Sequence, residues 1–253
     1  MLPIRDHNPS EKVPYVTYLL IAANVAIFLM EQGLIQTPAQ QWDFYVNYAF
    51  FPLLVSEGQG YSGLITHMFL HGGWMHLGGN MLFLWVFGDN MEEEFGPFGF
   101  VVFYLMSGLA AAWLQYLPDP TSSVPMVGAS GAIAGVMGGY LLLFPRARVD
   151  VFIFLVFIIR IIPIPAWVVL GLWFGLQFFY GVSADLSQGG VAYWAHVGGF
   201  VAGFVLTVPL WLRRGAVGYW ARTDGHPPHP ETRYQVRQSS VPRVSRRRPG
   251  PWG

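Results

Sequence analysis

The chain has no cysteine, which excludes disulfides and thiolate metal ligands. It is also poor in charge, with Asp, Glu, Lys and Arg at 11% of its 253 residues. A soluble domain carries about 25%. Basic residues are missing over long distances: none lies between Lys12 and Arg146, and none between Arg160 and Arg213. Formal net charge is +0, so no excess of basic groups points to a nucleic-acid partner. Apolar residues fill the space instead, at 53% of the chain, and mean hydropathy is +0.42. Several apolar runs reach the roughly 20 residues needed to cross a bilayer as a helix. The composition therefore predicts an all-α, multi-pass membrane protein. The first run begins near Tyr15, after Arg5 and Lys12. No small-x-small cleavage signal follows it, so it reads as a retained helix and not a signal peptide.

Residues 1–13 form a polar N-terminal segment, and residues 14–31 the first span. Residues 32–66 are too polar to span but carry Trp42, Phe44, Tyr45, Tyr48, Phe50 and Phe51. Amphipathic rings favour the headgroup level, so this first loop is expected to be membrane-embedded on one side. The second span runs over about 74–87, with a possible reach to 94, and the third over 98–117. An acidic loop, 88–97, is expected between them. Pro118 and Pro120 end the third span. The fourth, 127–144, stops at Pro145-Arg146-Ala147-Arg148. Residues 151–162 are apolar but short, contain Arg160, and read as an interfacial or re-entrant piece. The fifth span covers 166–182 and the sixth 191–212, closed by Arg213 and Arg214.

The expected organisation is a six-helix core, 14–212, with a tail, 213–253. That tail holds nine of the 14 basic residues and six of the 19 prolines. It reads as disordered and able to touch anionic headgroups. Six spans with the N-terminus inside put Lys12, Arg146, Arg148 and Arg213 on the cytoplasmic side. The outer loops 32–66, 118–126 and 182–190 then carry acids alone, as the positive-inside rule requires. The expected setting is a cell membrane, the bacterial inner or plasma membrane, with both termini cytoplasmic. No feature of the chain specifies an oligomeric state.

The stretch Val127-Gly-Ala-Ser130-Gly-Ala-Ile-Ala-Gly135 opens the fourth span with one serine among small residues. Its hydroxyl sits where the first helical turn leaves N–H groups unpaired and the helix dipole is positive. Nothing polar nearby on that helix could activate it, so a nucleophilic serine needs a base from another helix. In this topology His76, Asn80, Ser130 and His196 fall at one depth below the outer surface, on three spans. His76 and Asn80 share a face at i, i+4. Gly131, Gly135 and Gly139 form one small-residue stripe, and Ala195, Gly199 and Gly203 another. Packing the two stripes together would bring His196 toward Ser130.

Each feature also has a bland reading. Glycine stripes are packing devices, and a lone serine usually bonds its own backbone. Four polar groups at one depth shift the balance toward function, because unpaired groups in lipid are costly. A metal reading through His67, His71 and His76 lacks an HExxH and a carboxylate at that depth. Neither metal nor cofactor is expected.

Three motifs taken together resemble the rhomboid family of intramembrane serine proteases, over about residues 15–212. They are His71-Gly-Gly-Trp-Met-His76-Leu-Gly-Gly-Asn80, Gly128-Ala-Ser130-Gly131, and Ala195-His196-Val-Gly-Gly199-Phe-Val-Ala-Gly203. The resemblance implies a six-helix rhomboid-like bundle with a membrane-embedded first loop. It implies Ser130 as nucleophile and His196 as general base and acid, a dyad with no third acid. It implies an oxyanion hole from Asn80, His76 and the Ser130 backbone N–H. His71, Gly128, Gly131 and Gly199 would be supporting residues, and Glu92 a structural acid.

The implied function is hydrolysis of a peptide bond in or beside the transmembrane helix of a membrane-protein substrate within the lipid bilayer. An alternative is a catalytically inactive relative that binds membrane clients; a small-solute transporter would need ionisable pairs or an inverted repeat, and neither is visible. The sequence departs from many relatives at two places. Ser62 and Gly63 stand where a Trp-Arg pair is common in the first loop. Ala134 stands where some relatives have an aromatic against the histidine, so the orientation of His196 needs another source.

Overall fold

The computed structural model describes residues 2–155, 158–183 and 190–232. The expected outer loop 182–190 and the far end of the tail fall largely outside those residues. Helix α1 covers Tyr15–Leu34. The first loop then folds into three short helices, α2 (Pro38–Tyr48), α3 (Pro52–Ser56) and α4 (Gly63–Thr66), with a 3-10 turn at His67–Phe69. Thr37 starts α2 with a capping box, since its hydroxyl accepts from the Gln40 N–H while the Gln40 amide accepts from the Thr37 N–H. In place of a Trp-Arg pair, Ser62 Oγ donates to the Asn47 carbonyl at 3.2 Å. A β-carbon on Gly63 would run into the Ala49 carbonyl, so close backbone packing holds this loop.

The second and third spans lie in one continuous helical stretch, α5 (Trp74–Tyr116), of 43 residues. Its only non-helical residue is Gly96, with φ 70° and ψ 163°, followed by Pro97. A straight helix of this length would span about 65 Å. Asn80 and Gln115 nevertheless line one cavity, so the chain folds back at Gly96. Only glycine adopts that φ without strain. The expected ten-residue loop 88–97 is therefore corrected to a one-residue break. Asp89 and Glu92–Glu94 sit on the last turns of the first half. That placement gives Glu92 a job. Its carboxylate accepts from the N–H groups of Val16 and Thr17 at 2.9 and 2.8 Å and from the Thr17 hydroxyl at 2.9 Å. It caps the positive end of α1, where four N–H groups lack intrahelical partners.

Helix α6 (Ser130–Leu143) is the centre of the bundle, with every residue from Gly131 to Tyr140 buried. A helix apolar on all sides belongs inside. At 14 residues it is only about 21 Å long, against a hydrocarbon layer of about 30 Å. A short central helix among longer neighbours sets its first residue below the surface and leaves space above it. Helices α7 (Ala166–Ser183) and α8 (Tyr193–Arg213) complete the bundle. Helices α1, α5, α7 and α8 are each long and apolar enough to cross a membrane, and α6 is a shorter apolar helix. With α5 counted as two spans, the molecule is the expected six-helix bundle.

Residues 151–155 and 158–162, expected as an interfacial or re-entrant piece, are extended: they belong to two strands, β2 (Arg148–Leu155) and β3 (Ile158–Pro165), and β1 (Leu2–Asp6) joins them in an antiparallel sheet ordered β1-β2-β3. The polar N-terminal segment thus pairs with the chain after α6, with Pro3 opposite Val151 and Arg5 opposite Asp150. Val149, Asp150 and Val151 are all buried, whereas Arg148 is exposed; the buried Asp150 carboxylate is met by Arg5 Nε at 2.6 Å and His7 Nε2 at 2.7 Å.

The first part of the tail is likewise ordered, contrary to expectation. Helix α9 (Val217–Thr223) packs Trp220 against Trp211, with ring centroids 4.9 Å apart. Trp220 Nε1 donates to the Leu142 carbonyl at 3.0 Å, satisfying an acceptor in the last turn of α6. Arg214 pairs with Glu94 at 2.8 Å, and Arg146 pairs with Asp224. Sheet, tail and basic residues therefore gather at the Tyr140 end of α6. The site lies at the other end.

Candidate active site

Ser130 opens α6, and the residue before it, Ala129, supplies no side-chain cap. The first-turn N–H groups lack a side-chain partner, which leaves them available to an anion. Gly128 precedes them with φ 126°. Its N–H donates to the His67 carbonyl at 2.9 Å, tying this turn to the first loop. A β-carbon on Gly128 would lie 2.7 Å from His76 Cε1 and Nε2 and 3.5 Å from Ser130 Oγ. Glycine is required there for backbone conformation and for room.

The two small-residue stripes meet as expected. A β-carbon on Gly199 would strike the Gly131 carbonyl, and one on Gly203 would strike the Gly135 carbonyl. This backbone-to-backbone approach of α6 and α8 puts His196 Nε2 2.8 Å from Ser130 Oγ. On the other side of the ring, His196 Nδ1 lies 2.8 Å from Gln177 Oε1 of α7. The Trp173 ring stands 5.6 Å from the imidazole, tilted by 35°.

His76 and Asn80 face the same space from α5. His76 Nδ1 accepts a long hydrogen bond, 3.4 Å, from the Gly72 N–H. The proton of a neutral His76 then belongs on Nε2, the atom beside Gly128. Asn80 is 8% exposed, and its Nδ2 has no partner among the described residues. A buried unpaired donor costs about 1–3 kcal/mol, and here it lines an open cavity of about 640 Å³ with Ser130, His76 and His196. An oxygen gaining negative charge beside Ser130 would meet donors from three sources. That is the arrangement that acyl transfer through a tetrahedral intermediate needs.

The remaining expected residues take flanking places. His71 is buried behind His76, ring edge to ring face with centroids 5.1 Å apart, and does not line the cavity. Gly131 lines it, and Gly199 sits in the helix contact below. His67 Nδ1 bonds the Gly63 carbonyl at 2.8 Å, away from the other two imidazoles. Among the described residues no three His, Asp or Glu side chains converge on a point suited to a metal ion.

Sequence reasoning missed three residues of the site. Gln115 Oε1 accepts from the Ala195 N–H at 3.1 Å and fixes the start of α8. Trp173 and Gln177 both reach His196 from α7. The available signal was Gln177 itself, an amide inside an otherwise apolar span and four residues after a tryptophan.

Residues 58–213 match the rhomboid domain family model. The chain is 32% identical to the mitochondrial rhomboid protein 1 of Saccharomyces cerevisiae over 196 residues, covering 74% of this chain and 51% of that protein. It is 31% identical to RHOMBOID-like protein 5 of Arabidopsis thaliana, covering 55% of each. It is 32% identical to the rhomboid protease GluP of Bacillus subtilis, covering 51% of this chain and 24% of GluP. The chain thus spans about half the length of the yeast and plant relatives, and a smaller share of GluP. These relatives include a mitochondrial and a bacterial protein, so membership alone assigns no particular membrane.

Proposed function

The chain belongs to the rhomboid family, and from that premise we propose that it is an intramembrane serine endopeptidase acting through Ser130 and His196. The observation that carries the reading is the 2.8 Å approach of Ser130 Oγ to His196 Nε2, beside the unpaired Asn80 amide. Ser130 Oγ attacks the scissile carbonyl carbon as His196 Nε2 takes the hydroxyl proton. Asn80 Nδ2, His76 Nε2–H and the Ser130 N–H receive the oxyanion. One such preorganised donor is worth about 3 kcal/mol in the transition state. His196 then returns the proton to the leaving nitrogen, the C–N bond breaks, and an acyl group remains on Ser130. Water attacks this ester with His196 again as base, and the new carboxyl terminus departs.

The substrate is a transmembrane protein segment. Its helix must unwind locally, because intact helical hydrogen bonds shield the scissile carbonyl. Residues that weaken a helix should therefore favour cleavage. The basic groups Lys12, Arg146, Arg148 and Arg213 support a cytoplasmic Tyr140 end by the positive-inside rule, with the cavity opening toward the opposite side. Cleavage of a single-span substrate in liposomes tests the reading. Wild type should cut and Ser130→Ala should not. Equal cutting by both would refute Ser130 as the nucleophile.

A further inference from the structure

A histidine that serves as general base must hold its own proton on the nitrogen facing away from the nucleophile. His196 faces Ser130 with Nε2, so the proton must sit on Nδ1. Nδ1 lies 2.8 Å from Gln177 Oε1. A carbonyl oxygen can only accept, so this contact holds the proton on Nδ1 and leaves the Nε2 lone pair for the serine. The opposite amide orientation would set an NH2 donor against Nδ1 and move the proton to Nε2, where it would face the hydroxyl and block transfer.

A second observation comes from the same helix face. Trp173 and Gln177 are spaced i, i+4, so one stripe of α7 meets the imidazole twice. Trp173 stands beside the ring, and Gln177 meets its edge. Ala134 on α6 provides no ring, so α7 supplies the orientation that the serine helix does not.

The geometry points to Gln177 as a positioning residue that completes a Ser130–His196–Gln177 triad, deepening the protease reading on which it rests. An amide suits this depth. A carboxylate would stabilise the imidazolium more strongly, but it would bury a charge among apolar helices. The amide selects tautomer and ring angle while remaining neutral. Gln177 reaches no substrate atom and acts only through His196.

Two measurements test this. The first is the pH profile of substrate cleavage, with fluorophosphonate labelling of Ser130, for wild type, Gln177→Ala and Gln177→Glu. Gln177→Ala should lose about ten- to hundred-fold in kcat with KM within about twofold, a loss like that on removing the partner that orients a metal-bound imidazole. Gln177→Glu should keep labelling and move the acidic limb of the profile about one pH unit upward, since a carboxylate favours the imidazolium. Unchanged kcat in Gln177→Ala, or an unshifted limb in Gln177→Glu, overturns the assignment.

The second is the nitrogen NMR spectrum of histidine-labelled protein, with His196 assigned by its absence from His196→Ala. Wild type should show the Nδ1–H tautomer, and Gln177→Ala should lose it. Retention of that tautomer in Gln177→Ala would also overturn the assignment. This spectrum decides the role of Gln177 even if wild type neither labels nor cleaves, an outcome that sinks the protease reading separately.

Discussion

Helix α6 has a polar cluster at each end, and the two clusters are built on opposite plans. At the Tyr140 end side chains from the sheet, the bundle and the tail are tied to one another by hydrogen bonds. The Tyr140 hydroxyl donates to Asp6 at 3.0 Å, Asn90 Nδ2 donates to the same carboxyl at 2.7 Å, and Trp220 caps Leu142. At the Ser130 end the groups surround open space. Asn80 Nδ2 lacks a partner, and the first helical turn has no side-chain cap. One end spends its polar groups on holding the sheet and tail to the bundle. The other leaves them unpaired, where the proposed reaction would place a charge that appears only in its transition state.

The contrast is broken most severely by a change that both ends depend on. Gly199→Leu would drive a side chain into the Gly131 carbonyl and separate α6 from α8. Cleavage should fall below detection, and overpacking should lower stability by about 1–3 kcal/mol, read as a reduced Tm. A variant that still cleaves at wild-type rate would mean that the two backbones do not touch there.

Asn80→Ala and Glu92→Ala separate the two plans. Removing Asn80 deletes a donor that already lacks a partner, so Tm should stay level or rise slightly while kcat falls about 10²–10³-fold. Removing Glu92 strands the N–H groups of Val16 and Thr17 and the Thr17 hydroxyl. Stability should fall by about 2 kcal/mol, with kcat at a permissive temperature nearly unchanged. Reversed outcomes would show that the Ser130 end is structural and the Tyr140 end functional.

The same contrast explains what could be read from the chain. The bundle was legible because apolar length and basic punctuation, such as Arg146 and Arg213, follow directly from bilayer thickness and topology rules. The meeting of Ser130 with His196 was legible because Gly131, Gly135, Gly199 and Gly203 leave one close way to pack two helices. The sheet was not. Its strands pair residue 3 with residue 151, and no local pattern in Leu2–Asp6 announces so distant a partner. Ile159 to Ile162 also read as easily for lipid as for a strand. The ordered part of the tail was hidden by its proline and arginine content, although Trp220 at a helix terminus is a docking residue. Gln177 stayed unread because its importance lies in which ring nitrogen it reaches, and that is a property of three helices at once.

The smallest effect concerns the sheet and its pH response. Burial pushes the Asp6 carboxyl up to about 8, with the Asp89 carboxylate adding to it and the Tyr140 hydroxyl and Asn90 amide opposing. A carboxyl raised in the folded state stabilises that state when protonated. Its contribution is complete below the ordinary carboxylate range and is lost as pH rises through about 8. Asp150 behaves oppositely. Burial would raise it, but hydrogen bonds and charge from His7 and Arg5 hold it below its ordinary value, so its contribution is lost only on acidification. Of these two carboxyls, it is Asp6 whose contribution should vary between about pH 5 and pH 8. Hydrogen exchange at the β1 amides should therefore quicken as pH rises across this window, beyond the intrinsic rate, and Asp6→Asn should flatten that trend. Amides near Ser130 should show no matching change, because the buried middle of α6, Gly131 to Tyr140, separates the two ends. A parallel change at both ends would mean that docking of the N-terminal strand reaches the serine through α6.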